Sequence, residues 1–145
     1  MHIILTGGHT GMGLELSRLL LGEGHTLTLI VRTEKRQAEA QQALGGSEKI
    51  HYHLADLSVQ ADVRSAGDEI VARGVPVDGL FNNAGVLLDQ SYRSAQDNEM
   101  HYEVNALAPY ILTTTLWPAL AQSPAPFVVN TATGSMEKRK TIDMQ

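Results

Sequence analysis

From Thr6 to Gly13 the chain reads Thr-Gly-Gly-His-Thr-Gly-Met-Gly, directly after the apolar run His2 to Leu5 and directly before a helix-compatible stretch. Glycines at such a junction allow a tight turn, let backbone N–H groups approach a diphosphate, and let helix and strand pack closely. The helix N-terminus adds its dipole and its unpaired donors. The spacing, T-G-x-x-x-G-x-G, is neither the G-x-x-x-x-G-K-[ST] of a nucleoside-triphosphate loop nor a plain G-x-G-x-x-G. Further along, Asn82-Asn83-Ala84-Gly85 combines two side chains that bond nearby backbone with two residues small enough to leave room for a ligand against the chain. Asn105 falls in the middle of a helical pattern, where asparagine is a poor helix former. Of the six histidines, His51 and His53 share a strand face by alternation. Two donors with no third nearby, and no carboxylates at fitting spacing, do not make a metal site, so none is assigned.

Alternating elements must position these residues. Short β-branched or apolar runs at His2 to Leu5, Thr26 to Val31, Ile50 to Leu54, Val77 to Asn82 and Pro126 to Thr131 read as strands. Between them lie helical stretches. Gly11 to Leu21 puts Met12, Leu16, Leu19 and Leu20 on one face and is closed by Gly22 and Gly24. Thr33 caps a helix to about Leu44 that Gly45-Gly46 ends, and Ser58 caps one to about Arg73. A polar loop covers about Leu88 to Gln96. A long pattern then runs from Asp97 to Ala121, interrupted by Pro109 and Pro118. Alternation of this kind predicts an α/β fold: a doubly wound, Rossmann-type parallel sheet of about five strands in the order 3-2-1-4-5. Ligand then sits at the carboxyl ends of strands 1 and 4, where the glycines fall.

The chain has 145 residues, 43% apolar, 19% charged and 5% aromatic, with no cysteine and a formal charge of -5. That length suits one domain, residues 1–145, which buries about 70% of its unfolded surface. Without cysteine there is no disulfide framework, thiolate metal site or cysteine nucleophile. Mild acidity argues against a sequence-independent grip on nucleic acid or anionic lipid. No apolar run reaches the roughly 18 residues of a membrane span, and no signal-peptide pattern follows Met1. A cytoplasmic protein that binds neither nucleic acid nor membrane is expected.

Four ordered motifs make the sequence similar to the short-chain dehydrogenases/reductases. Thr6, Gly7, Gly11 and Gly13 match the family's cofactor loop, where Met12 lies between the last two glycines. Asp56-Leu57 after strand three resembles its adenine-contacting acid, and Asn82-Asn83-Ala84-Gly85 its N-N-A-G motif, which brings Asn83, Ala84 and Gly85 to the cofactor. Asn105 resembles the asparagine of the catalytic tetrad, which in the family lies beside a helix irregularity and holds water in a proton relay. The resemblance implies hydride transfer between a nicotinamide and a carbonyl or alcohol carbon of a small-molecule substrate. A carboxylate ending strand two would bond the ribose 2′-OH of NAD and repel a 2′-phosphate. Here Val31 ends that strand and Arg32 follows, with Lys35 and Arg36 a turn on, so NADP(H) is favoured over NAD(H), while Glu34 keeps NAD(H) open.

The family's serine position falls on Thr133, with Ser135 as a weaker substitute. Its tyrosine and lysine are missing: no Y-x-x-x-K occurs, since Asp56, Gln96, Ala106 and Thr114 stand four residues after the tyrosines. The expected tyrosine would fall just past Gln145, and Lys138 or Lys140 alone has no proton relay to serve. Acid–base help is worth about 10²–10⁴-fold, so little turnover is expected from these residues alone. The family's last strands, substrate loop and later helices are missing too. That leaves strand five as an open edge and the fourth helix without its dimer partner, and predicts a homo-oligomer. Three readings stay open: the N-terminal piece of a longer oxidoreductase, a non-catalytic dinucleotide-binding or regulatory module, and a half-site completed by another chain.

Overall fold

In the computed structural model, which describes residues 1–132, the strands are β1 (His2–Thr6), β2 (Thr26–Val31), β3 (Ile50–Leu54), β4 (Gly79–Asn82) and β5 (Phe127–Asn130). They form one sheet in the order β3-β2-β1-β4-β5, with all neighbours parallel. The expected topology is the observed one. Register sets Leu5 beside both Leu29 and Phe81, so the chain leaves β1 and β4 at adjacent points on the same sheet end.

Helices cover both faces. Ile3, Leu5, Leu27, Leu29 and Val31 meet Leu20 of α1 (Gly11–Gly22) and Ala40 of α2 (Glu34–Ala43). Ile4, Ile30 and Leu80 point the other way, onto Val63 and Ile70 of α3 (Gln60–Ala72) and Leu112 and Leu116 of a later helix. A central strand buried on both sides is apolar at every position, and the β-branched runs have that composition. Thr28 is the buried polar exception in β2, and its Oγ1 lies 2.9 Å from His2 Nε2.

Thr33 caps α2 as predicted, accepting from Arg36 N at 3.3 Å. Ser58 does not cap α3: its N–H and its hydroxyl both donate to Asp56 Oδ1, at 2.9 and 2.7 Å, so the helix starts later, at Gln60. The pattern from Asp97 is likewise not one helix. Asp97 has a positive φ of 63° and turns the chain, leaving α4 (Met100–Tyr102), a π-helical turn (Glu103–Leu107) and α5 (Ala108–Leu120) in succession. Pro109 explains the turn: it offers no N–H to the Asn105 carbonyl four residues back, and its ring would crowd that carbonyl in a regular helix. Among the described residues no helix is long and apolar enough to cross a membrane.

Candidate functional site: a glycine loop facing a clamped rim

The loop after β1 is shaped by missing side chains. Gly7 and Gly11 hold positive φ values of 71° and 53°, which L-residues with a Cβ adopt at a cost. A Cβ on Gly13 would run into the Gly7 carbonyl and lie 2.6 Å from Asn83 Nδ2. The first turn of α1 therefore lies directly against the end of β1. This arrangement fits a diphosphate, because backbone N–H groups at a helix N-terminus are left accessible where a side chain would otherwise stand. Met12 stands 72% exposed at the edge of the cleft.

Thr6 ties this loop to the one after β4. Its buried hydroxyl accepts from Asn83 N at 3.1 Å and Ala84 N at 3.0 Å, so it acts through the loop backbone. Asn83 answers with Nδ2 donating to Thr6 O at 3.3 Å, while its Oδ1 accepts from Thr131 Oγ1 at 3.4 Å. Asn82 Nδ2 donates to Asn130 Oδ1 at 2.8 Å. Three strand ends, those of β1, β4 and β5, are thus joined by asparagine and threonine side chains. Leu57 packs beneath, half-buried against the core. Asp56 gives one carboxylate oxygen to Ser58 and leaves Oδ2 without a partner among the described residues.

Arg32, just past β2, is exposed and forms no ion pair among the described residues, whereas Arg36 bonds Glu39 at 2.7 Å. Their field reaches the glycine loop. Burial, then Arg36 and Arg32, lower the His9 imidazole's proton affinity, with Glu39 opposing. His9 Nδ1 is buried without a hydrogen-bond partner. Sequence reasoning passed over His9, because a histidine inside a glycine loop carries no pattern of its own.

Opposite the cradle, Asn105 sits inside the π-helical turn, the irregularity expected beside it. Its amide pairs both ways with Val86: Val86 N donates to Oδ1 at 2.8 Å and Nδ2 donates to Val86 O at 2.9 Å. Gly85 lets this happen, since a Cβ there would come 3.3 Å from Asn105 Oδ1. Two residues earlier, Glu103 is fully buried. Ser94 Oγ and Asn98 Nδ2 donate to its Oε2 at 2.7 and 2.8 Å. Burial pushes this carboxyl up, but hydrogen bonds from Asn98, Ser94 and Gln60 together outweigh it and hold it below the ordinary carboxylate value. Glu103 thereby pins the Leu88 to Gln96 loop to the helical run, a role that neither its residue type nor its spacing announced.

Between the walls lies a cleft of ≈ 1560 Å³, lined by Met12, Asn83, Gly85, Asn105, Tyr110 and Thr131 among others. Thr133, Ser135, Lys138 and Lys140 lie outside the described residues. Among the described residues no three His, Asp or Glu side chains come together as metal ligands; His53 instead meets Glu69 at 3.3 Å.

A family model described as short chain dehydrogenase matches residues 1–142. Mouse polyprenol dehydrogenase is 34% identical over 125 residues, covering 84% of this chain and 37% of that protein. Human dehydrogenase/reductase SDR family member 12 is 29% identical over 150 residues, covering 98% of this chain and 46% of that protein. A solved structure from Novosphingobium aromaticivorans, described as a short-chain dehydrogenase, superposes with a TM-score of 0.74 at 29% identity, over 90% of this chain and 51% of that one. The chain spans about half the length, or less, of the proteins it matches.

Proposed function

Because this chain belongs to the short-chain dehydrogenase/reductase family, we propose that it forms the cofactor-binding part of an NADP(H)-dependent oxidoreductase. A nicotinamide bound here would supply hydride transfer to or from a carbonyl or alcohol carbon of a small molecule. The observation that carries the reading is the Gly13 close approach, which seats the N-terminus of α1 directly against the end of β1. In this reading the α1 N-terminus receives the diphosphate, and Asp56, with one carboxylate oxygen unpartnered among the described residues, faces the adenine. Asn83, Ala84 and Gly85 line the nicotinamide side. Thr133 orients the substrate oxygen. Pro109 deprives the Asn105 carbonyl of its helical donor, leaving that carbonyl to hold water.

The preference for NADP(H) follows from charge. Arg32, exposed just past β2 and without an ion-pair partner among the described residues, is available to a 2′-phosphate, whereas Arg36 is engaged by Glu39. A charge-assisted bond contributes roughly 1.5–3 kcal/mol. Titrating NADPH and NADH into wild type and Arg32→Glu tests this. The expected result is a roughly ten- to hundredfold loss of the NADPH preference in the variant. An unchanged ratio would refute the cofactor assignment.

The 145 residues contain no Tyr-x-x-x-Lys, so turnover by these residues alone should be small. A non-catalytic dinucleotide-binding role draws on the same observation. A screen of carbonyl substrates against the chain with NADPH separates the two from an active enzyme. Self-association is proposed as well, through the exposed Tyr110 and Trp117 of α5 or the half-exposed Val128 and Val129 of β5.

A further inference from the structure

We infer that Glu99 and His101 are positioning residues which, with Asn105, fix the Val86 to Leu88 segment so that Leu87 stands in the cleft as a contact for an apolar part of the substrate. The inference rests on reading the cleft as the place where substrate meets nicotinamide, and it names the class of substrate.

The geometry is a short chain of bonds. Leu88 N donates to His101 Nε2 at 2.9 Å, and His101 Nδ1 lies 2.7 Å from Glu99 Oε1. A backbone N–H can only donate, so Nε2 is the accepting nitrogen and Nδ1 carries the hydrogen, which goes to Glu99. The carboxylate thus selects the tautomer that can hold Leu88. Glu99 is itself fixed, because its Oε2 accepts from Tyr102 N at 3.0 Å. The hydrogen bond with His101 holds the Glu99 carboxyl below its ordinary value, although burial opposes it.

Two residues earlier, Asn105 meets both backbone groups of Val86. Leu87 is therefore flanked by two fixed neighbours, yet its side chain is 95% exposed at the cleft. Exposed Met12, Tyr102 and Tyr110 border the same space. The one carboxylate among its described lining residues, Glu99, is already engaged, and no Lys or Arg lines it among those residues. An uncharged, apolar substrate portion suits such a lining, because it would displace water from Leu87 without leaving a charge unpaired.

The test uses two variants that separate shape from bonding. His101→Phe keeps a ring but no acceptor, whereas His101→Gln carries a side-chain oxygen that can reach the Leu88 N–H. Amide exchange of Val86 and Leu88 is followed by NMR, together with the Leu87 methyl signals as 2-octanone, an apolar probe ketone, is added with saturating NADP⁺. Wild-type Leu87 methyls should shift with 2-octanone, and His101 should show the Nδ1–H tautomer in its ring nitrogen signals. His101→Phe should lose about tenfold in Leu88 protection, the equivalent of about 1.4 kcal/mol, with Val86 unchanged. It should also bind 2-octanone several-fold more weakly, and His101→Gln should recover most of both. Full protection in His101→Phe, failure of His101→Gln to recover it, or Leu87 methyls indifferent to the ketone would overturn the inference. NADPH titration of the same samples distinguishes the two levels. Wild type that fails to bind NADPH removes the cofactor reading, whereas normal NADPH binding with an unchanged Leu88 in His101→Phe removes only the positioning role.

Discussion

Around Gly13 the cleft wall is made by leaving side chains out; around Val86 and Leu88 it is made by putting them in. On the first wall Gly7 and Gly13 bring backbone close to backbone, and a single carbon added at Gly13 meets the Gly7 carbonyl. On the second, Asn105, His101 and Glu103 reach out from one helical run and hold loop backbone or loop side chains at hydrogen-bond distance. A wall of bare backbone suits a ligand part that is always the same, such as a diphosphate. A wall held by side chains can be changed one residue at a time without disturbing the sheet beneath, which suits the variable partner of the proposed reaction.

The sharpest way to break this contrast is Gly13→Ala. Overpacking commonly costs about 1–3 kcal/mol, and because the obstacle here is backbone we expect the upper end, with NADPH binding lost. Gly11→Ala is the internal control. Its Cβ would meet open space, so only the positive φ of 53° is penalised, at about 1 kcal/mol or slightly more. Thermal unfolding and NADPH titration of both check the pair. If the two behave alike, close approach is not what builds the first wall.

Asn105→Ala comes next in size. It removes both bonds to Val86, and at about 0.5–1.5 kcal/mol each the loss should be about 1–3 kcal/mol, with the Val86 amide exchanging faster. NADPH affinity should change far less than in Gly13→Ala. Comparable losses of affinity would join the two walls into one unit and end the distinction.

The smallest expected effect is a pH dependence at Glu103. Its carboxyl is held below the ordinary value near 4.5, so the folded state favours the ionised form. That contribution is fully present above the unfolded pKa and is lost as pH falls through the folded pKa, below about 4.5. Thermal melts of wild type and Glu103→Gln between pH 7 and pH 3 should converge toward the acid end, because the amide cannot titrate. Parallel curves would show that the carboxylate is not what pins the loop.

What the residue pattern carried, and what it missed, divides along the same line. The strands and their order were legible because a doubly covered parallel sheet demands apolar β-branched runs, as at Thr26 to Val31. The glycine cradle was legible because glycine at a strand–helix junction has few other uses. Asn105 and its helix irregularity were legible through the family resemblance alone, and Pro109, one turn on, supplies the physical cause. The clamps were not. His101 meets Leu88 across 13 residues, and no periodicity links them. Glu103 is a charged residue at a fully buried position, where helical patterning predicts an apolar one. Ser58 misled for a local reason: its N–H and hydroxyl both turn back to Asp56 Oδ1, two residues before it, and the helix begins only at Gln60.

A crystal structure of the chain with NADP⁺ tests the central claim most directly. The account predicts the diphosphate over the backbone amides of the Gly11 to Gly13 turn, the 2′-phosphate beside Arg32, and the nicotinamide ring against Asn83 to Gly85, facing the Asn105 wall. Density for the dinucleotide elsewhere, or a glycine turn left empty at saturating NADP⁺, would contradict it.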